Sequence, residues 1–289
     1  MRFDIHRFTL GKCIAIVKVV SECYFARVTT STIRQTHSIS PPSPLRVHGS
    51  IAREIGLSIV SGSLRPGHVL DGEVEASLQR KVSRTAYREA LRILSAKGLV
   101  YSRPRTGTRV SRISEWHLLD PDVLAWLFSG IPRPEVLHGL FELRTIVEPA
   151  AAALAASRRG QTHLNRMRRA LDEMTLHTLH APAGREADKD FHAALLAATA
   201  NPFVISLTNG VTAAVNSLTE FKQRLAKIER DPVPDHIRVY DAIAAKDAEG
   251  ARESMIKLIR LAVLDMPARQ RPKPPSGASI TEVEYFMPR

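Results

Sequence analysis

Residues 82–110, VSRTAYREALRILSAKGLVYSRPRTGTRV, constrain the fold more than any other stretch of the chain. Ser83 is a good helix N-cap, because its short side-chain oxygen can accept a backbone N–H that the first turn leaves unpaired. Ala86, Ala90, Leu91, Ile93, Leu94 and Leu99 recur at three- and four-residue steps and give the helix one dry face. Ser83, Arg84, Thr85, Arg88 and Arg92 lie on the other. Lys97-Gly98 ends the helix, with glycine where the chain must turn left-handed. Beyond it, Leu99–Arg103 and Thr108–Val110 read as short extended pieces about a Pro104-to-Gly107 turn whose tip carries Arg105. A helix with a basic N-terminal face, next to a basic hairpin, suits the major groove of DNA and the phosphates beside it. Taken alone, the helix also reads as an ordinary amphipathic helix with a solvated charged face.

Charge favours the first reading. The net charge of +12 is unevenly placed: residues 1–118 hold 19 Lys and Arg against 8 Asp and Glu, and the remainder 22 against 21. The basicity belongs to the N-terminal part, as in a nucleic-acid module joined to an electrically neutral partner domain. A polyanion-binding surface in an enzyme can share this asymmetry but has no need of the helix–hairpin pattern. A chain of 289 residues is long enough for two domains with buried cores. The two cysteines, Cys13 and Cys23, imply no disulfide framework, which fits a reducing cytoplasm. No stretch reaches the length of an uncharged transmembrane span. Residues Phe8–Val20 are apolar but interrupted by Lys12 and Lys18, and no small-residue cleavage site follows, so no signal peptide is expected.

Along the chain, residues 1–45 show no sustained period and end in a Ser/Pro-rich linker composition. They read as a disordered basic extension or as the product of a misassigned start. Order begins near Val47. Ile51, Ile55, Leu57, Ile59 and Val60 mark a short amphipathic helix ended by Ser61-Gly62, and Leu64–Gly67 is a turn followed by the extended pair Val69-Leu70. Asp71 can cap a second helix through Arg80, with Glu73 and Glu75 in its first turn, where the macrodipole favours anions. Helix, helix, helix, hairpin is a winged helix-turn-helix, expected over residues 46–112. After a linker at 113–118, Asp120-Pro121 is a helix-start signal. Further helical segments read from Pro134 to Ser157, Gly160 to His180, Gly184 to Asn201, Phe203 to Arg230, Pro234 to Lys246 and Ala248 to Met266. The fold class is therefore mainly α, a winged helix-turn-helix followed by an all-helical antiparallel bundle over residues 119–267. Residues 268–289 read as a flexible tail.

The run GSLRPGHVL, followed by VSRTAYREALRILSAKGLV and the wing RPRTGTRV, resembles the N-terminal domain of the GntR family of bacterial transcription regulators. The resemblance implies DNA contacts at Ser83, Arg84, Thr85 and Arg88 in the recognition helix and at Arg105 and Gly107 in the wing. Many members carry a base-reading arginine where this chain has Val74, so Arg84 and Arg88 are expected to dominate, with a changed operator preference. Four residues apart, these two arginines share one helix face and can enter one groove.

In the helical half, Asp188 and His192 are four apart, so their side chains can converge on one ion, and His236 lies on a later helix. An Asp with two His is a hard-to-borderline set suited to zinc, nickel or manganese. Seen bare, the same i,i+4 pair reads more often as a surface hydrogen bond than as a metal site. ELRTIVEPAAAALAA, D-x-x-FHAALLAATANP and HIRVYDAIAAKDAEGAR resemble the FCD effector-binding domain of the FadR branch of the family. That resemblance implies an Asp and three His holding a divalent metal that contacts a carboxylate effector. Asp188, His192 and His236 match three positions, and Leu258 stands at the fourth. With three ligands, the effector can complete the coordination; without a metal, the imidazoles can act as hydrogen-bond donors.

A bound organic anion needs a cation, and Arg144 is the best candidate because a guanidinium forks onto a carboxylate. Its alternative is a salt bridge to Glu148, four residues on; the resemblance favours the effector pocket, with Glu148 orienting the arginine. Asn216 is a further candidate effector contact. WHLLDPDVLAWL, with the wing before it, resembles regulators of sugar-acid catabolism, the galactonate-responsive ones among them. The implied protein is a cytoplasmic homodimer that reads a double-stranded operator through two winged helices, and a repressor released by a small organic acid such as a sugar acid. It has no catalytic residue: G-x-S-x-G, H-E-x-x-H and a phosphate-cradling glycine loop are missing from the sequence. The alternatives are an effector-independent DNA-binding protein and a metal-dependent enzyme in the helical domain.

Overall fold

The computed structural model describes residues 47–225 and 230–272. The N-terminal extension with Cys13 and Cys23, and the tail from residue 273 on, lie outside the described residues. Within them the chain forms eleven α-helices and one two-stranded antiparallel sheet.

The N-terminal part holds α1 (Val47–Val60), α2 (Glu73–Arg80), α3 (Arg84–Ala96), β1 (Val100–Arg103) and β2 (Gly107–Val110). Ser83 caps α3 as its chemistry predicts, its hydroxyl accepting from the Ala86 N–H at 3.1 Å. Tyr87, Ala90 and Leu94 bury the dry face of α3 against α1 and α2. Gly98 ends the helix at φ +74°, and a Cβ there would lie 2.1 Å from the Glu115 carbonyl, so glycine is required twice over. The hairpin pairs Val100 with Val110 and Arg103 with Gly107, and Val69 bridges to Arg109 at its outer edge. Asp71 does not cap α2. Gly72 holds the N-cap position without a side-chain bond, and the Asp71 carbonyl instead accepts from the Tyr87 hydroxyl at 3.1 Å.

The helical part runs α4 (Pro121–Ser129), α5 (Pro134–Arg158), α6 (Gln161–His177), α7 (Pro182–Ala198), α8 (Pro202–Ser206), α9 (Thr208–Leu225), α10 (Val233–Ala244) and α11 (Ala248–Leu264). Helix α5 packs on α7, α10 and α11; α7 packs on α6 and α9; α9 packs on α4. Asp120 caps α4 by accepting from the Asp122 and Val123 N–H groups.

Two expected boundaries move. Helix α7 starts at Pro182 and runs through Gly184 rather than beginning after it. The glycine is there for packing: a Cβ at residue 184 would fall 1.7 Å from the Thr178 carbonyl oxygen. The segment expected as one helix from Phe203 is two, broken at Leu207. Ser206 and Thr208 turn their hydroxyls back onto the Phe203 and Ile205 carbonyls at 2.7 Å, offering the backbone an alternative to the helical ladder.

Candidate functional site

The recognition surface is built on α3 and the wing. Arg84, Thr85 and Arg88 are exposed on the first turns of α3, next to Ser83 at the cap. Arg105, at φ +65°, and Gly107, at φ +80°, form the exposed wing tip. Val74, on α2, is half exposed, so the expected arginine position does face outward but carries a methyl surface. The sequence did not reveal one contact. Arg88 gives Nε to Glu73 at 3.0 Å and Nη2 at 2.6 Å, a forked pair across fifteen residues of chain. Its hydrogen bonds and positive charge hold the Glu73 carboxyl below its ordinary value. Spacing gives no hint of such a pair.

The second site is a cavity of about 270 Å³ in the helical part. Its walls come from α5 (Arg144), the α6–α7 connection (Thr178–His180), α7 (Asp188, His192), α9 (Val215, Thr219, Lys222, Gln223), α10 with the residues before it (Arg230–Pro232, His236) and α11 with its C-terminus (Leu258, Ala262, Asp265). Asp188, His192 and His236 each offer one donor atom within 4.8 Å of the others, and all three are buried. Phe191 packs edge-on against both imidazoles.

Hydrogen bonds behind the rings decide which nitrogen faces the cluster. His236 Nδ1 lies 2.8 Å from the Pro232 carbonyl, which can only accept, so this nitrogen carries the proton. His192 Nδ1 lies 3.1 Å from Glu148 Oε2. Burial by itself would raise the Glu148 carboxyl, but the Arg144 guanidinium and His192 overcome it and hold it down to about 2. An ionised carboxylate accepts, so His192 also donates from Nδ1. Both rings therefore turn Nε2, the nitrogen left to bind a cation through its lone pair, toward Asp188 Oδ1, at 3.1 Å from His236 and 3.7 Å from His192. Among the described residues, His236 Nε2 and Asp188 Oδ1 are buried with no hydrogen-bond partner. Three electron-pair donors facing one another, with ring protons pointed outward, fit a divalent cation.

The other expected residues divide. Arg144 lines the cavity and is also paired, giving Nε to Glu148 Oε1 at 2.6 Å and Nη2 to Oε2 at 3.3 Å. Glu148 does not line the cavity: it sits fully buried behind the wall, between Arg144 and His192. Asn216 is half-buried on α9 and does not line the cavity, to which that helix contributes Val215 and Thr219 instead. Leu258, at the fourth position, closes the wall with an apolar side chain. His180 also stands at the cavity wall. His177 pairs with Glu173 at 3.2 Å.

Four charged cavity groups escaped the sequence reading: Lys222, Arg230, Asp231 and Asp265. Arg230 forks onto Asp265 at 2.9 and 2.6 Å and also pairs with Asp235. Lys222 is buried, and that burial pulls its ammonium down to about 8. A signal was present in the sequence: Lys222 falls four residues after Leu218 and seven after Val215, on the apolar register of its own helix.

Comparison with known proteins agrees with both halves. Residues 48–110 match the model of the bacterial regulatory proteins of the gntR family, and residues 139–261 match the FCD domain. The chain is 30% identical over 207 residues to the galactonate operon transcriptional repressor of Escherichia coli K12, covering 71% of this chain and 90% of that one. It is 31% identical over 203 residues to the HTH-type transcriptional regulator LutR of Bacillus subtilis, covering 68% and 91%. Among solved structures, that of Lar, which controls expression of the Listeria monocytogenes agr system, superposes with a TM-score of 0.55 at 19% identity. It covers 75% of this chain and 94% of its own, and it supports the fold. These relatives are transcription regulators rather than enzymes. The chain belongs to the gntR family of bacterial regulatory proteins and, with its winged helix joined to an FCD domain, is a DNA-binding transcription regulator.

Proposed function

We propose that this regulator is a homodimeric repressor that leaves its operator when a small organic acid, a sugar acid by its likeness to the galactonate operon repressor, binds in the helical cavity. The observation that carries the reading is the convergence of Asp188, His192 and His236 on a cavity that Arg144 also lines. A two-fold dimer places two recognition helices on the half-sites of an inverted repeat, one helical turn of DNA apart or a multiple of it. Arg84 and Arg88 read bases, while Ser83, Thr85, Arg105 and the Gly107 backbone hold phosphates.

A zinc, nickel or manganese ion held by Asp188, His192 and His236 would supply a Lewis-acid site for a carboxylate or hydroxyl oxygen. Glu148 and the Pro232 carbonyl fix the tautomers of the two histidines, and Arg144 adds positive charge to the wall. Asn216 would act through its neighbours on α9.

The deciding experiment measures fluorescence anisotropy of an operator selected from random duplexes, titrated with a panel of aldonic and uronic acids. One acid should weaken operator affinity by roughly 5- to 150-fold, the usual range of coupling between two sites. Affinity indifferent to every acid would favour an effector-independent DNA-binding protein. For the metal, equilibrium dialysis against zinc, nickel and manganese should leave one ion per chain, and His236→Ala should lose it. No retained ion, with acid binding unharmed by chelator, removes the metal from the proposal.

A further inference from the structure

Two basic groups with small exposure face the cavity, and their partners differ. Arg144 spends two of its nitrogens on Glu148, so one edge of its fork is closed. Lys222 is 8% exposed at its side chain and has no hydrogen bond among the described residues. Its nearest counter-charge, Asp265 Oδ2, is 4.0 Å away, and both Asp265 oxygens are already taken by Arg230. A buried ammonium with three donors and no acceptor is costly unless something completes it. The cavity is where that acceptor can enter.

The charges on the wall indicate what enters. Of the Lys and Arg side chains on the wall, Arg144 is hydrogen-bonded to Glu148 and Arg230 to Asp265 and Asp235, while Lys222 has no hydrogen-bond acceptor among the described residues. That leaves one buried cation on the wall free to receive a carboxylate. One carboxylate finds its partner there; a second meets a wall that already carries Asp188, Asp231 and Asp265.

We infer that Lys222 is the carboxylate anchor of this cavity, held in place by the Arg230–Asp265 pair, and that the site takes a monocarboxylic hydroxy acid. This rests on the effector reading proposed above and assigns Arg144 to the support of Glu148 and His192. The apolar wall of Leu179, Val215, Leu258 and Ala262 accepts the carbon chain. Thr219 and Gln223, on the same helix as Lys222, meet its hydroxyls.

Isothermal titration of the full-length, zinc-equilibrated protein with D-galactonate, D-galactarate and D-galactose tests this. The wild type should bind the monoacid more tightly than the diacid and far more tightly than the neutral sugar. Lys222→Met should weaken D-galactonate by about 30-fold or more, the usual effect of truncating a buried charge partner, and leave D-galactose unchanged. Lys222→Arg should recover most of the loss. Operator affinity without acid, unchanged in both variants, reports that they fold; Lys222→Gln replaces Lys222→Met if the latter does not. D-galactonate binding by the truncated variant at wild-type strength overturns the anchor and leaves the effector reading standing. Failure of the wild type to bind any acid, here or in the operator titration, overturns both.

Discussion

At the scale of single residues, the two sites share a device: a carboxylate holds a functional side chain in one orientation. Glu73 forks onto Arg88 at the DNA surface, and Glu148 takes the Nδ1 proton of His192 in the core. Their environments make their energetic weights very different. The Glu73–Arg88 pair is solvated and adds little to stability, so in the proposed complex its effect would be to limit the rotamers Arg88 brings to a base. An arginine forked on guanine contributes about 1–3 kcal/mol of discrimination. Arg88→Ala should therefore abolish selective binding, measured as the ratio of operator to random-duplex affinity, while thermal stability and acid binding stay at wild-type values. Glu148 is fully buried, and removing it strands the Arg144 charge, a loss of about 3–5 kcal/mol by the general cost of breaking a buried pair. Its carboxyl lies near 2 in the folded state against an ordinary 4.5. A lowered folded value means that the pair stabilises fully above pH 4.5 and is progressively lost as pH falls toward 2. Melting curves recorded between pH 7 and pH 3 should show Glu148→Gln with a lower midpoint at pH 7. Its further decline on acidification should be shallower than that of the wild type.

At the scale of elements, the cavity depends on how α7 begins. Pro182 opens that helix and Gly184 lets it pass within contact of the Thr178 carbonyl, which brings Thr178–His180 into the cavity wall. Gln223 then ties the connection to α9 by donating to the Leu179 carbonyl at 2.6 Å. Gly184→Ala should force this connection outward. A melting midpoint lowered by several degrees and weaker acid binding are expected, since about 1 kcal/mol already moves a domain of this size by ~2–4 °C. Gly139→Ala is the matched control. It lies inside α5 with nothing near its added Cβ, so it should be neutral or stabilising by up to about 1 kcal/mol. Equal losses in both variants would mean that the Gly184 approach is not what shapes the cavity.

At the scale of the whole molecule, α4 packs against one element of each site, α9 of the cavity and the C-terminal end of α3. Its capping residue Asp120 and its Asp122 bind Lys97, which follows the last residue of the recognition helix, each at 2.8 Å. Its Trp126 covers Gly56 of α1 so closely that a Cβ there would lie 2.4 Å from the ring. At its other end, the Phe128 and Ser129 carbonyls accept from Arg224, two residues beyond Lys222 on α9. A displacement of α9 on the proposed acid binding would reach the end of α3 through one short helix. Lys97→Met removes that link without touching either ligand. Operator affinity in the absence of acid should stay within a few-fold of wild type, and the acid-induced drop should shrink toward none. A full drop in the variant would show that the coupling runs elsewhere.

Local chemistry and period were enough to determine much of this protein: a capped basic helix with its glycine stop, the wing, the charge asymmetry and most of the helices behind them. These features are written in neighbouring residues, so reading them requires no knowledge of what packs on what. The same holds for Asp188 with His192, one turn apart on a helix. Tertiary structure alone decided that His236 joins them, that Glu148 serves the histidine as well as the arginine, and that Arg88 is gripped by Glu73. It also decided where α7 begins, because Gly184 answers to a carbonyl in another segment, whereas the break at Leu207 is local, set by two hydroxyls that compete with the ladder. Lys222 lies between the two cases. Its apolar register was visible, but whether a lysine on that register bends out to water or stays inside depends on what the opposing helices offer. Here they offer an aspartate already taken by an arginine, and a cavity.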